Sequence, residues 1–245
     1  MKAGSQFIPR WIATEFGLLL ALAGAAAGLL AFALIAEEMV EGDSHGFDEA
    51  ILLAFRAPGD SAEPLGPAWL EIVVRDITAM GSTTVLALVT LVVVGFLITD
   101  GKRSAALFVA LATAGGGIMS YVLKIGFDRP RPDLVAHLVD VHTLSFPSGH
   151  AMGSAVTYLT LGALIVRTEA RRRLKIYVLA VAIALTLVIG LSRIYLGVHW
   201  PTDVLAGWSA GSAWALACWT LALWLQRRGR IETDAPSPEN DRRTD

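Results

Sequence analysis

Long apolar runs separated by short polar connections dominate this chain. Mainly apolar segments lie at 16–36, 83–99, 105–123, 151–166, 176–191 and 204–225. Each approaches or reaches the roughly 20 residues that a helix needs to cross a bilayer. The pattern predicts an all-α integral membrane bundle of six transmembrane helices. The fourth and fifth runs are short, but Ser, Thr, Gly and flanking Arg side chains extend them by reaching to the interface. Lys2 and Arg10 precede the first run, as in a signal peptide. That run is too long and lacks a small-residue cleavage pattern, so a retained helix is expected.

The connection at 37–82 carries ten acidic and two basic residues. Phe47, Ile51, Leu52 and Phe55 nevertheless recur at helical spacing, as do Leu70, Val73, Val74 and Ile77. Internal charges at Arg56, Glu71, Arg75 and Asp76 argue against further spans, so the pattern predicts two short amphipathic helices in the interface. They either cap the bundle or form one wall of a lipid groove. Gly24 and Gly28 have the small-xxx-small spacing of closely packed helices, and Gly115-Gly116-Gly117 is read in the same way. Residues 1–226 are expected to form one membrane domain, and the polar, proline-containing 227–245 a disordered cytoplasmic tail.

Composition excludes a soluble domain: 54% of residues are hydrophobic, 17% are charged, and the mean hydropathy is +0.57. The single cysteine, Cys218, lies inside an apolar run, which leaves no intrachain disulfide and no thiolate metal site. A net charge of -2 says less than its distribution. Under six spans, fourteen of the 20 Lys and Arg fall on one side, in the N-terminus, the 100–104 turn, the 167–175 loop and the tail. The positive-inside rule makes that side cytoplasmic, with both termini. The opposite, periplasmic or external face holds Arg56, Arg75 and four cations in polar clusters: Lys124, Arg129, Arg131 and Arg193.

Those clusters carry the chemistry. Arg offers planar bidentate donors and Lys a point charge to developing negative charge on phosphoryl oxygens. A charge at the bilayer centre costs roughly 2.5–3.5 kcal/mol on insertion scales, so several cations beside apolar spans require an anionic ligand or access to the interface. Pro147-Ser148-Gly149-His150 directly precedes the fourth run. Ser148 is a candidate N-cap there, and Gly149 permits a ligand to approach the backbone. His199 and Asp203 are four residues apart where the sixth helix begins, with Pro201 between them. A carboxylate on one imidazole nitrogen fixes the tautomer and leaves the other lone pair free for attack. A zinc pair is the poorer reading, since the chain has neither an H-E-x-x-H pattern nor a cysteine cluster. His45, His137 and His142 are left as candidate ligands or, the favoured reading, exposed loop residues.

Taken together, K-x6-R-P (Lys124, Arg131, Pro132), P-S-G-H (147–150) and S-R-x5-H-x3-D (Ser192, Arg193, His199, Asp203) resemble the three-part motif of the type 2 phosphatidic acid phosphatase family. That family shares its phosphate site with vanadium haloperoxidases. The resemblance spans 124–203 and selects Arg131 over Arg129, leaving Arg129 behind the site or at the surface. It implies a membrane lipid phosphatase without a metal or other cofactor. In that scheme His199 attacks phosphorus to form a phosphohistidine and Asp203 orients it. His150 protonates the leaving oxygen and later assists water, while Lys124, Arg131, Ser148, Gly149 and Arg193 hold the phosphate. The chain is also similar to bacterial undecaprenyl diphosphate phosphatases, which makes undecaprenyl diphosphate the expected substrate. Phosphatidylglycerophosphate, phosphatidate and lipid A phosphates are the alternatives. A vanadium-dependent haloperoxidase suits a membrane chain poorly, and a lipid transporter has no need of the His199–Asp203 pair. A lipid phosphate in the bilayer is the expected partner, with no role for nucleic acid.

Overall fold

Each apolar run forms a helix, and five of the six helices continue past the run because the flanking polar residues extend the same backbone; α4 ends with its run. The computed structural model describes residues 10–227. Its order is α1 (Arg10–Glu41), α2 (His45–Ala54), β1 (Arg56–Ala57), β2 (Asp60–Pro64), α3 (Ala68–Ala79), α4 (Thr83–Thr99), α5 (Arg103–Phe127), α6 (Gly149–Thr168), α7 (Arg172–Tyr195) and α8 (Pro201–Arg227). The expected tail disorder lies outside the described residues beyond Arg227. Helix ends follow local chemistry. Ser82 caps α4 by accepting from Val85 N at 3.3 Å. α5 ends where Asp128 turns left-handed at φ 47°, and Pro130 and Pro132 cannot continue a helix.

α8 lies at the centre, against α1 and α6, and α6 in turn packs on α5 and α7. Close approach requires glycine on these seams. A β-carbon at Gly211 would come within 2.7 Å of Met152 O, and one at Gly207 within 2.8 Å of Ser148 O. At Gly28 of α1 it would meet Ser209 O at 3.0 Å, so the Gly24–Gly28 spacing does serve helix packing. Large apolar side chains such as Leu91, Val92, Leu111, Ile118 and Ile176 point outward, as in a chain solvated by lipid. The protein is an integral membrane helix bundle.

Among the described residues, four helices are individually long and apolar enough to cross a bilayer: α1 from Gly17, α5, α6 and α7. α3 and α4 meet at 48°, and counted as one bent span they would make a fifth. α8, at 27 residues, has the length to span but not the same apolarity. Its Trp, Ser and Gly residues face protein more than lipid, which relaxes the demand for hydrophobicity.

The end of the bundle carrying the 128–148 loop is roofed by α2, a hairpin and α3. Both expected amphipathic helices form. Leu52 of α2 is fully buried beside Val135, Ile194 and Val204. Leu70 and Val74 of α3 pack on Tyr195, Leu196 and Val198, whereas Val73 and Phe47 of the same stripes are exposed. The β1–β2 hairpin was not expected. Ala57 pairs with Asp60 around Pro58 and Gly59, with Gly59 at φ 87°, but the strands are too short to show alternation. Arg56 departs from its expected place on an amphipathic helix. It follows α2 in β1, is buried, and donates from Nη1 to Tyr195 O at 2.9 Å at the C-terminus of α7, where the helix dipole favours a cation.

Candidate active site

Three structural pieces bring the clusters to one place: the last turn of α5 with the 128–148 loop, the first turn of α6, and the turn from α7 into α8. The loop is closed near its ends and tied down at its middle. Ser145 N donates to Arg129 O at 2.9 Å, and Leu138 N donates to Leu196 O at 3.0 Å. Phe146–Pro147 is a cis peptide bond.

His199 and Asp203 are 1% and 0% exposed. His199 Nδ1 lies 3.2 Å from Asp203 Oδ2 and 3.3 Å from Ser145 Oγ, while Nε2 lies 3.2 Å from Arg131 Nη1. A guanidinium can only donate, so Nε2 carries the lone pair and Nδ1 the proton. Burial, reinforced by the charges of Arg131, Lys124 and Arg193, holds the imidazole well below the ordinary histidine range. The ring is therefore neutral at physiological pH. Asp203 Oδ2 also accepts from Ser145 Oγ at 2.5 Å and Trp200 N at 2.9 Å.

Around this pair stand cations whose hydrogen bonds go to neutral acceptors. Lys124 Nζ donates to Leu144 O at 2.6 Å and Ser145 O at 3.3 Å. Arg131 donates from Nε to Thr143 O at 2.7 Å, from Nη2 to Thr143 Oγ1 at 3.1 Å, and from Nη1 to Val198 O at 2.5 Å. Arg193 is buried, donates from Nη1 to Thr78 Oγ1 at 3.0 Å, and its Nε lacks a partner among the described residues. None of the three is ion-paired with a described carboxylate. The nearest acid, Asp203, is already paired with Arg129. The cluster is thus net positive in a medium of low dielectric, which favours a multiply charged anion.

Ser148 Oγ accepts from Ala151 N at 3.5 Å, and Ser148 N donates to Asp203 O at 2.9 Å. A β-carbon on Gly149 would meet only Lys124 Cε at 3.5 Å and Ser120 Oγ at 3.7 Å, which are ordinary contacts. Protein packing does not demand glycine there, and ligand approach remains as a reason for it. His150, next on α6, is within electrostatic reach of Arg193, His199, Arg131 and Lys124, and lies against the α3–α4 break at Gly81. Every residue singled out in the three motifs therefore lies at one end of the bundle. His137 instead ties the loop through Nε2 and Pro132 O at 2.6 Å, and His45 ties its own turn through Nδ1 and Gly42 O at 2.9 Å.

Arg129 is not at the surface. It is buried, donating from Nη1 to Asp203 Oδ1 and from Nη2 to Asp48 Oδ2, each at 2.7 Å. Sequence reading also missed Ser145, Asp48 and Thr78. Asp48 left a signal: it continues the Leu52–Phe55 stripe of α2, and an acid on an apolar stripe needs a buried partner. Thr78 extends the α3 stripe in the same way.

An apolar cavity of about 480 Å³ adjoins the site, lined by Phe55, Leu65, Leu70, Ile77, Leu191 and Tyr195 among others. Ile77 and Ser192, on its wall, are the chain neighbours of Thr78 and Arg193.

Residues 105–227 match the model of the PAP2 superfamily, and the chain belongs to that family. It is similar to phosphatidylglycerophosphatase B of Bacillus subtilis (strain 168), at 32% identity over 165 residues, covering 66% of this chain and 80% of that one. A shorter stretch of 68 residues is 37% identical to an undecaprenyl-diphosphatase of Sulfolobus acidocaldarius, covering 28% of this chain and 29% of the other. The crystal structure of a PAP2-type phosphatidylglycerolphosphate phosphatase from Bacillus subtilis superposes with a TM-score of 0.76 at 28% identity, over 83% of this chain and 98% of that one. Aquifex aeolicus LpxE shares the fold, with a TM-score of 0.55 at 22% identity over 71% of this chain and 94% of that one. Family and relatives together make the protein a membrane lipid phosphate hydrolase.

Proposed function

We propose that the protein removes phosphate from a lipid phosphate by covalent catalysis on His199, without a metal ion. The observation that carries this reading is the neutral, buried His199, oriented by Asp203 at 3.2 Å, beside cations that have no carboxylate partner among the described residues. In the first step the Nε2 lone pair attacks phosphorus and the bond to the lipid oxygen breaks. His150 gives a proton to that oxygen. In the second, water loses a proton to His150 and attacks the phosphohistidine, releasing inorganic phosphate and neutral His199. Lys124, Arg131, Arg193 and the Ser148–Gly149 backbone hold the phosphoryl oxygens. A net positive cluster repels a divalent cation, which is why the reading is metal-independent.

Phosphatidylglycerophosphate is the first substrate to test, because the long similarity runs to an enzyme named for it. Undecaprenyl diphosphate, expected from the sequence, is the second reading and is supported by the 68-residue likeness. In either case the lipid chain occupies the apolar cavity beside Thr78 and Arg193. The chain crosses the membrane six times, with α8 as the sixth span, both termini in the cytoplasm and the site on the periplasmic or external face. The deciding experiment measures phosphate release by purified enzyme from phosphatidylglycerophosphate, undecaprenyl diphosphate, phosphatidate and lipid A. The expected result is activity that persists in excess EDTA and is inhibited by orthovanadate, which mimics five-coordinate phosphorus. Loss of activity in EDTA, restored by a divalent ion, would overturn the metal-free mechanism.

A further inference from the structure

The residues that hold phosphate do not account for why α2 reaches into the site. Asp48 of α2 is 1% exposed and lies outside the 105–227 family match. Its Oδ1 accepts from Thr202 N at 2.9 Å, and its Oδ2 accepts from Thr202 Oγ1 and Arg129 Nη2, each at 2.7 Å. Arg129 Nη1 completes the bridge, donating to Asp203 Oδ1 at 2.7 Å and to Thr202 Oγ1 at 2.8 Å. The Trp200 ring covers the guanidinium at 5.5 Å from its centroid. One buried cation thus joins two buried carboxylates.

The two oxygens of Asp203 have separate tasks. Oδ1 takes Arg129, while Oδ2 takes His199, Ser145 and the Trp200 amide. A carboxylate excluded from water stays ionised only with a counter-charge, and Arg129 is its ion-paired cation. Holding Oδ1 also fixes the carboxylate plane and aims Oδ2 at Nδ1. Asp48 fixes Arg129 in turn, and through Thr202 it fixes the first turn of α8.

We propose that Arg129 and Asp48 are positioning residues for the nucleophile: the Asp48–Arg129 pair holds Asp203 charged and aimed at His199, and so makes α2 part of the catalytic apparatus. The proposal rests on His199 acting as nucleophile. Arg129 bonds to Asp203 and to none of Lys124, Arg131 or Arg193. Its loss should therefore reach the chemical step and spare phosphate affinity.

The test is steady-state kinetics on purified Arg129→Met, Arg129→Lys, Asp48→Asn and the Arg129→Met/Asp48→Asn double variant, with product inhibition by inorganic phosphate measured on each. Arg129→Met is expected to lower kcat about 10²-fold, the scale of a misaligned catalytic group. KM and the inhibition constant of inorganic phosphate, a ground-state ligand, should stay near wild type. Arg129→Lys should fall in between, because an ammonium cannot reproduce the two-armed fork. Asp48→Asn keeps an acceptor for the Thr202 amide and should lower kcat about tenfold. Since Asp48 acts through Arg129, the double variant should be no slower than Arg129→Met alone. The proposal is overturned if kcat is unchanged, if kcat, KM and phosphate affinity collapse in step as a folding defect would make them, or if the Asp48 and Arg129 effects simply add. Normal turnover by His199→Ala would overturn the nucleophile and this proposal together. The Arg129 outcomes by themselves would overturn only this one.

Discussion

His199 and Asp203 meet through Nδ1 and Oδ2 at 3.2 Å across the first turn of α8, and the opposite nitrogen of the same ring faces Arg131. The ring is held at both ends by groups of opposite charge. The carboxylate fixes the proton on Nδ1, and the guanidinium faces the lone pair on Nε2. A phosphoryl group bound by Arg131 would approach that lone pair directly.

In the proposed mechanism, replacing His199 removes the attacking atom and replacing His150 removes the acid. His199→Ala should lower turnover by at least about 10³-fold, as loss of a nucleophile does, and should trap no labelled phosphoenzyme. His150→Ala should still form phosphoenzyme from a substrate with an activated leaving group, since an activated oxygen needs no proton to depart. Rapid-quench labelling separates the two. Phosphoenzyme in His199→Ala would sink the assignment.

Arg193 presents a planar fork with one arm on Thr78 and Nε free. Arg193→Lys keeps the charge but loses the fork, and should lower kcat/KM about 10–100-fold, the range of one or two charge-assisted hydrogen bonds. Thr78→Val leaves the cation in place and removes its anchor, so a loss of about 2–10-fold is expected. Equal losses in the two variants would mean that Arg193 acts through its position alone.

The legible parts of this protein were those governed by short-range rules. Apolar runs gave the helices, the Phe47–Phe55 and Leu70–Ile77 stripes gave α2 and α3, and motif spacing drew Lys124, His150 and His199 together. What stayed hidden depended on pairing across the fold. Arg129 and Arg131 sit in the same R-P-R-P run, and only the tertiary fold turns one toward Asp48 and Asp203 and the other toward Thr143 and His199. The hairpin escaped because strands of two and five residues have too few positions to show a period. Arg56 followed a helical stripe in the sequence, yet its partner is a carbonyl on α7, 139 residues away.

Acid pH should inhibit later than an ordinary histidine would. The His199 value is lowered by burial and by Arg131, Lys124 and Arg193, so its neutral form persists as pH falls through the usual imidazole range and is lost only well below it. The acid limb of kcat/KM, which reports free enzyme, should therefore not reflect His199 near its ordinary value. Arg131→Met removes one of the lowering charges, raises the His199 value and should move the limb to higher pH. Substrate ionisation is common to both enzymes, so the difference between their profiles reports the imidazole. An unshifted limb would show that Arg131 does not act on this ring.

The basic residues argue for a site outside the cytoplasm, and α6 supplies the ruler. Its 20 residues separate Asp140, exposed in the 128–148 loop, from Ala170, exposed in the α6–α7 turn beside Arg171, Arg172 and Arg173. At 1.5 Å per residue that helix is about 30 Å long, the thickness of a hydrocarbon core. In the proposed topology the positive-inside rule puts the Arg-rich turn in the cytoplasm and the 128–148 loop on the opposite side. With Cys218 replaced by Ala, Asp140→Cys should react with a membrane-impermeant maleimide in intact cells. Ala170→Cys should react only after the membrane is broken. The opposite labelling would invert the topology and would place hydrolysis on the cytoplasmic leaflet, because the site and Asp140 belong to the same end of the bundle.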